Sequence, residues 1–69
     1  MFYIIEIQKM KDGTYTHLVQ TAEGQNQAES KYYGVLQYAA ISDLPLHTVT
    51  LIDDHGLTYM SKAYEHDVS

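Results

Sequence analysis

The chain has 69 residues, with nine acidic side chains against four lysines and no arginine, so its net charge is −5. Nucleic-acid backbones are bound by clustered Lys and Arg, and these lysines are scattered, which argues against a nucleic-acid partner. The absence of cysteine excludes disulfides, thiolate metal ligands and a thiol nucleophile.

The first β-strand is predicted at residues 2–10. Ile5 and Ile7 alternate with polar residues, which is the period-two pattern of a half-buried strand. Ile4 adds apolar weight to the Glu6 face. Both faces of this strand are therefore expected to be covered near its start.

A tight turn, Lys-Asp-Gly, is predicted at residues 11–13, because Asp supplies a local hydrogen bond and Gly a positive φ. The second strand follows at residues 14–22, with Tyr15, His17 and Val19 on one face and threonine, leucine and glutamine on the other. Neither face is plainly polar. This pattern indicates that the second face of the sheet meets another subunit or a ligand.

Residues 26–41 are predicted to form a long amphipathic helix. Asn26 and Glu29 have the spacing of a capping pair, and the residue before Pro45 is disfavoured in a helix, which sets the end. The stripe expected to face the sheet consists of Ala28, Tyr32, Val35, Leu36 and Ala39.

Gly34 lies in the middle of this helix, where glycine costs roughly 1 kcal/mol relative to alanine. A residue this unfavourable usually has a packing reason. Two interpretations remain open: close contact with the protein's own sheet, or close contact with a helix of a second subunit.

The third strand is predicted at residues 47–53, a second turn at residues 53–56 and the fourth strand at residues 57–64, with residues 65–69 frayed. The expected fold is α+β, a single compact domain over residues 1–69. Two β-hairpins are joined by one helix (β-β-α-β-β), and the helix packs on one face of a four-stranded antiparallel or mixed sheet. Strand order stays open.

One helix covers only one face of such a sheet, and a chain of this size buries a modest share of its surface. We therefore expect a homo-oligomer, a dimer or higher. The chain has no apolar run of about 18 residues, and its first residues do not resemble a signal peptide, so a cytoplasmic protein without a membrane partner is expected.

Histidines provide the candidate bases and ligands. His17 and His47 occupy comparable places in their hairpins and could approach across the sheet beside Tyr15, as a functional cluster or as half-buried residues satisfied by the backbone. No histidine pair has zinc-type spacing, and no catalytic motif is present. We expect no enzymatic activity, no catalytic residue, no metal and no cofactor.

The sequence Asp53-Asp54-His55 places carboxylates beside an imidazole, which would suit a metal or acid–base site. Adjacent residues in a tight turn usually point apart, however, and Asp is common in turns for backbone reasons. We favour the turn.

Seven tyrosines are the strongest compositional feature. Tyrosine combines large apolar area with a polar tip and is enriched in interfaces and in stacking pockets. About half should fill the small core. The candidate ligand-binding or interface residues are Tyr15, His17, Tyr33, Tyr38, His47 and Tyr59.

Three segments that cover nearly the whole chain carry a resemblance: EIQKMKDGTY…HLVQTA, AESKYYGVLQYAAIS and LPLHTVTLIDDHG. In these segments the chain resembles small uncharacterised proteins of prophages and mobile elements of Firmicutes. The resemblance implies a counter-defence role and carries over no site residue. Two hypotheses follow: a homo-oligomeric module that sequesters a small, nucleotide-like signalling molecule, or a protein–protein inhibitor or assembly factor that binds a host protein through an acidic, tyrosine-rich surface. A hydrolase acting through His17 or His47 is a weaker third.

Overall fold

A computed structural model describes residues 1–66. The elements are β1 (Phe2–Lys9), β2 (Tyr15–Ala22), α1 (Gln25–Ile41), β3 (Leu46–Asp53) and β4 (Thr58–Glu65). They form one antiparallel sheet with the strand order β2-β1-β3-β4, against which α1 packs. The predicted α+β fold, two hairpins joined by one helix, is confirmed.

The first hairpin closes as its sequence predicts. Asp12 Oδ1 accepts hydrogen bonds from the backbone N–H and the hydroxyl of Thr14, at 3.0 and 2.7 Å. Gly13 has a φ of 91°, a left-handed conformation that glycine adopts without a steric cost. Local side-chain chemistry therefore fixes where β1 ends and β2 begins.

The core lies between α1 and the two central strands. Ile4 of β1 pairs in register with Leu51 of β3, and both are buried together with Val49. Each fully buried aliphatic side chain contributes roughly 1.5–3 kcal/mol. The face of β1 that carries Ile4 and Glu6 therefore lies under the helix, while Ile7 on the other face remains 40% exposed.

The helix presents the predicted stripe to the sheet. Ala28, Tyr32 and Ala39 are buried, and Val35 and Leu36 pack against them. The predicted Asn26–Glu29 capping pair is wrong, since the helix begins at Gln25 with Gly24 at its N-cap and no side-chain cap. Asn26 lies inside the first turn, too late to cap it.

We use "open face" for the side of the sheet opposite α1. It carries the alternate residues of each strand, among them Ile5 and Ile7 of β1 and Tyr15, His17 and Val19 of β2. Tyr15 and Val19 are 62% and 53% exposed. The expected apolar character of this face is therefore present on the surface of the chain.

The tail that was expected to be frayed begins with two residues in defined contacts. Glu65 belongs to β4, and the His66 backbone N–H donates to the Pro45 carbonyl at 2.9 Å. The His66 ring places Nε2 3.0 Å from the carbonyl of Ala39, near the end of α1. The rest of that prediction, residues 67–69, lies outside the described residues.

No helix within residues 1–66 is both long enough and apolar enough to cross a membrane.

Candidate functional site

A cleft of about 780 Å³ lies beside α1, on the same side of the sheet as the helix. It exists because α1 packs over the central strands and leaves β2 uncovered except at Ala22, the one buried residue of that strand. We call it the helix-side cleft. It is lined by Glu6, Gln8, Gln20, Lys31, Gly34, Val35, Tyr38, Ile41, Ser42, Asp43, Leu44 and His47.

Two buried polar residues form its floor. Glu6 and His47 are only 8% and 4% exposed, and His47 Nδ1 lies 3.2 Å from Glu6 Oε2. The β1–β3 register places Gln8 opposite His47 and Val49 opposite Glu6, so the pair meets diagonally across two strands. Two groups 41 positions apart in the sequence are thereby joined.

The geometry assigns a role to each nitrogen of this imidazole. An ionised carboxylate only accepts hydrogen bonds, so with Glu6 ionised this contact requires the proton on Nδ1, which donates to Glu6. Nε2 exposes less than 1 Å² and has no hydrogen-bond partner among residues 1–66. Burying a polar atom without a partner costs about 1–3 kcal/mol. Glu6 therefore fixes the ring and leaves its second nitrogen unused.

The wall of the cleft is apolar. Ile41 and Tyr38 are 79% and 73% exposed, the highest values among the large apolar side chains of the described chain, and both line the cleft. Val35 adds an aliphatic surface between the helix and the sheet. An apolar wall over a polar floor is the usual composition of a small-molecule site.

Gly34 also lines the cleft, and it adds no side chain to the wall. A Cβ built at this position meets nothing within 4 Å in the part of the chain described. The interpretation that Gly34 permits close contact with the protein's own sheet is therefore wrong. The alternative, close contact with a helix of a second subunit, stays a prediction.

Two of the charged groups at the rim already have partners. Lys31 Nζ donates to the Thr21 carbonyl at 2.8 Å, which ties α1 to the end of β2. Asp43 accepts from Lys11 at 2.9 Å, and this hydrogen bond, aided by the lysine charge, lowers the pKa of Asp43. The rim thus contributes one ammonium group and one carboxylate.

The predicted site residues fall into three places. His47 and Tyr38 line the helix-side cleft. Tyr15 lies on the open face. Tyr33 and Tyr59 lie toward β4, where the Tyr33 hydroxyl is 3.6 Å from Met60 Sδ and Tyr59 makes an edge contact with Phe2 at 5.6 Å.

The suggested cluster of His17 with His47 does not form. His17 pairs with Ile7 and His47 with Gln8, and consecutive residues of a strand point to opposite faces. His17 therefore lies on the open face with Tyr15, while His47 lies under the helix. The comparison of hairpin positions failed because it did not fix which face each strand turns inward.

The Asp53 turn is confirmed as a turn. Asp53 Oδ1 accepts from the backbone N–H groups of His55 and Leu57, both at 2.9 Å, and Gly56 has a φ of 83°. The Leu57 hydrogen bond is the main reason that the pKa of Asp53 is lowered. The Tyr59 hydroxyl donates to Oδ2 at 3.1 Å, and that carboxylate raises the pKa of Tyr59.

Within residues 1–66, one set of three potential metal ligands comes together, in which Asp53, Asp54 and His55 offer atoms within 4.8 Å of one another. The expectation that these side chains point apart is therefore wrong. The Asp53 carboxylate, however, already accepts three hydrogen bonds that shape the turn. The cluster is explained by backbone structure.

Sequence reasoning missed Glu6 as a site residue. Its alternation with Ile5 and Ile7 predicts only a polar position on a half-buried strand, and its pairing with His47 depends on β1 lying beside β3. One signal was present: Glu6 shares a face with Ile4, and His47 shares a face with Val49 and Leu51. A polar residue on each of two inward faces predicts a buried pair once the strands are adjacent.

No protein-family model matches the chain, and neither a curated protein nor a solved structure matches it.

Proposed function

We propose that this protein is a small, non-enzymatic binding protein that sequesters a small, planar, nucleotide-like molecule in the helix-side cleft. The supporting observation is the joining of an exposed apolar wall to a buried polar floor in one cavity. Its volume of about 780 Å³ falls in the range of roughly 300–1,000 Å³ that is common for ligand sites. The counter-defence setting implied by the resemblance is part of this proposal.

Tyr38 supplies the stacking surface in this proposal. Its ring is 73% exposed on the cleft wall, so a planar ligand can cover it without displacing another side chain. Aromatic contacts of this kind are worth about 0.5–1.5 kcal/mol beyond area burial. Val35 and Ile41 extend the apolar contact on either side.

The arrangement favours binding over catalysis. Across residues 1–66, no serine, threonine or tyrosine hydroxyl hydrogen-bonds to His47, whose described contact is with Glu6. Nucleophilic catalysis needs a hydroxyl or thiol within reach of its base. The Ser42 hydroxyl at the rim instead accepts from the Leu44 backbone N–H at 3.1 Å.

Native mass spectrometry of the protein purified from its producing cells tests this proposal. We expect a retained mass of metabolite size in the wild type and its loss in Gly34→Leu. That change projects a side chain into the cleft and also improves helix propensity, so folding is kept. Gln37→Leu, exposed on the same helix and outside the lining, is the matched control. A bare wild type, or retention in Gly34→Leu, would contradict sequestration in this cleft.

A second candidate is a protein–protein inhibitor or assembly factor acting through the open face. The observation that favours it is the exposure of Tyr15, Val19 and Ile7 on one side of the sheet. The same face would hold a second copy in the expected homo-oligomer. Capture of a host protein by the wild type and by Gly34→Leu alike would favour this candidate.

A further inference from the structure

The imidazole of His47 is held in one orientation. Glu6 accepts from Nδ1 at 3.2 Å, and both residues are more than nine-tenths buried. A carboxylate that hydrogen-bonds one ring nitrogen selects the tautomer and leaves the other nitrogen to act. In the neutral ring, Nε2 therefore presents a lone pair and no proton.

His47 lines the helix-side cleft, and its Nε2 has no hydrogen-bond partner in the described chain. Protein groups satisfy most buried polar atoms, so an unpaired ring nitrogen in a residue that lines a cleft points to a partner that arrives from outside. The lone pair of the neutral ring needs a donor, so we expect the missing partner to carry an N–H or O–H group.

The charges of the cleft restrict that partner further. Among its lining residues, Glu6 and Asp43 are carboxylates and Lys31 is the one ammonium group, and Lys31 already donates to Thr21. The chain carries a net charge of −5 and no arginine. The cleft therefore disfavours the anionic part of a nucleotide-like ligand, whereas the neutral planar ring of such a ligand suits Tyr38.

We propose that His47 Nε2 is the hydrogen-bond acceptor that selects a neutral, planar heterocycle bearing an N–H donor, such as an aminopurine base. This rests on the proposed binding function of the cleft and adds the chemical class of its ligand. Glu6 is a positioning residue, because it acts through His47. Tyr38 contributes stacking and does not distinguish donors from acceptors.

Access to Nε2 needs a small opening of the cleft. The atom exposes less than 1 Å², so a ligand reaches it only when a neighbouring side chain changes rotamer. Changes of that size are common when partners bind. The expected ligand contact thus gives the buried, unpaired nitrogen a hydrogen bond. This gain in binding free energy is largest for a donor that fits the cleft tightly.

The test uses two probes that differ only at the exocyclic nitrogen. 9-Methyladenine has its exocyclic amino group as its N–H donor, and N6,N6-dimethyl-9-methyladenine lacks that donor but keeps the planar ring. Titration of each into the ¹⁵N-labelled full chain gives affinities and the residues affected. We expect the dimethyl probe to bind about tenfold more weakly, as loss of one hydrogen bond predicts.

Two variants separate the nitrogens of His47. Asparagine places its amide near the position of Nδ1 and can still bind Glu6, whereas glutamine reaches the region of Nε2. We expect His47→Asn to bind 9-methyladenine about tenfold more weakly than the wild type and to lose its preference between the probes. His47→Gln should keep part of the affinity for 9-methyladenine and part of the preference between the two probes.

The outcomes are distinguishable. Equal binding of both probes in the cleft, unaffected by His47→Asn, would overturn the role of His47 and leave the binding function standing. No shift of cleft resonances with either probe would overturn this ligand class and count against the binding function as well. Ring ¹⁵N shifts showing a proton on Nε2 would also overturn the proposal, because that nitrogen would then be a donor.

Discussion

Glu6 and His47 illustrate how a buried polar pair stabilises a fold only while both members are present. Each is nearly inaccessible, and each has the other as its described side-chain hydrogen-bond partner. Replacing one leaves a buried group without its partner, which costs about 1–3 kcal/mol. Replacing both with apolar side chains removes two desolvation penalties together.

The double-mutant cycle of these two residues is the first prediction. Glu6→Leu and His47→Leu should each lower the free energy of unfolding by about 1–3 kcal/mol, and the double variant should lose less than the sum. Urea unfolding measures all four proteins. The exposed Glu23→Leu serves as the control. Strictly additive losses would show that the pair is not coupled.

The carboxyl group of Asp53 makes the stability of the fold depend on pH. Its pKa is lowered, chiefly by the Leu57 backbone N–H and further by His55 and Tyr59, so its ionised form is favoured in the folded state. A carboxyl group of this kind stabilises the fold above its ordinary pKa of about 3.9. That stability is lost as the pH falls through the lowered value.

Asp53→Asn tests this contribution. The amide oxygen still accepts from the turn, but the residue no longer titrates, so the variant lacks the pH-dependent part. We expect the difference in unfolding free energy between the wild type and Asp53→Asn to be constant at neutral pH and to shrink below about pH 4. Chemical unfolding over a pH series measures it. A difference that does not change in acid would refute the assignment.

Among the elements, α1 has one position where local preference and structure disagree. Gly34 costs roughly 1 kcal/mol in a helix, yet within residues 1–66 nothing lies within 4 Å of a Cβ added there. The stability of the isolated chain therefore gives no reason for glycine. The proposed binding function supplies one, because a ligand in the cleft would contact this part of its wall.

Gly34→Ala should raise the free energy of unfolding by about 1 kcal/mol and weaken binding in the cleft. Ala40→Gly, at an exposed position of α1 outside the cleft lining, should lower stability by a similar amount and leave binding unchanged. Thermal unfolding and probe titration on both variants give the two readouts. Destabilisation by Gly34→Ala would contradict this account, because it would require the added methyl group to clash within the chain.

Patterns of residues close in sequence predict the helix and the strands, whereas the pairing of distant strands determines the site. The buried stripe of α1 and the turns at Gly13 and Gly56 follow from residues close in sequence. The Glu6–His47 pair requires β1 to lie beside β3 in one register, which no local pattern specifies. The helix start was misplaced for a related reason, since Asn26 looked like a cap by composition while the chain turned at Gly24.

At the scale of the whole molecule, the sheet has two unequal faces. One is covered by α1, and the other leaves apolar residues such as Val19 exposed at 53%. A two-layer domain normally buries both its apolar surfaces, so a second copy on the open face would complete it. Size-exclusion chromatography with light scattering measures this directly.

Val19→Lys and Leu18→Lys form a matched pair for that measurement. The two residues are adjacent on β2 and are 53% and 58% exposed, but they point to opposite faces of the sheet. We expect the wild type and Leu18→Lys to be oligomeric and Val19→Lys to be monomeric, all with a folded circular dichroism spectrum. A monomeric wild type, or an equal response of the two variants, would contradict assembly through the open face.

We propose the helix-side cleft, rather than the open face, as the ligand-binding surface. The most direct measurement is a ¹H–¹⁵N correlation spectrum of the full chain with and without excess 9-methyladenine. Our account predicts that shifts concentrate at Gly34, Tyr38 and His47, which line the cleft. Shifts concentrated at Tyr15, His17 and Val19, or no shifts at all, would contradict it.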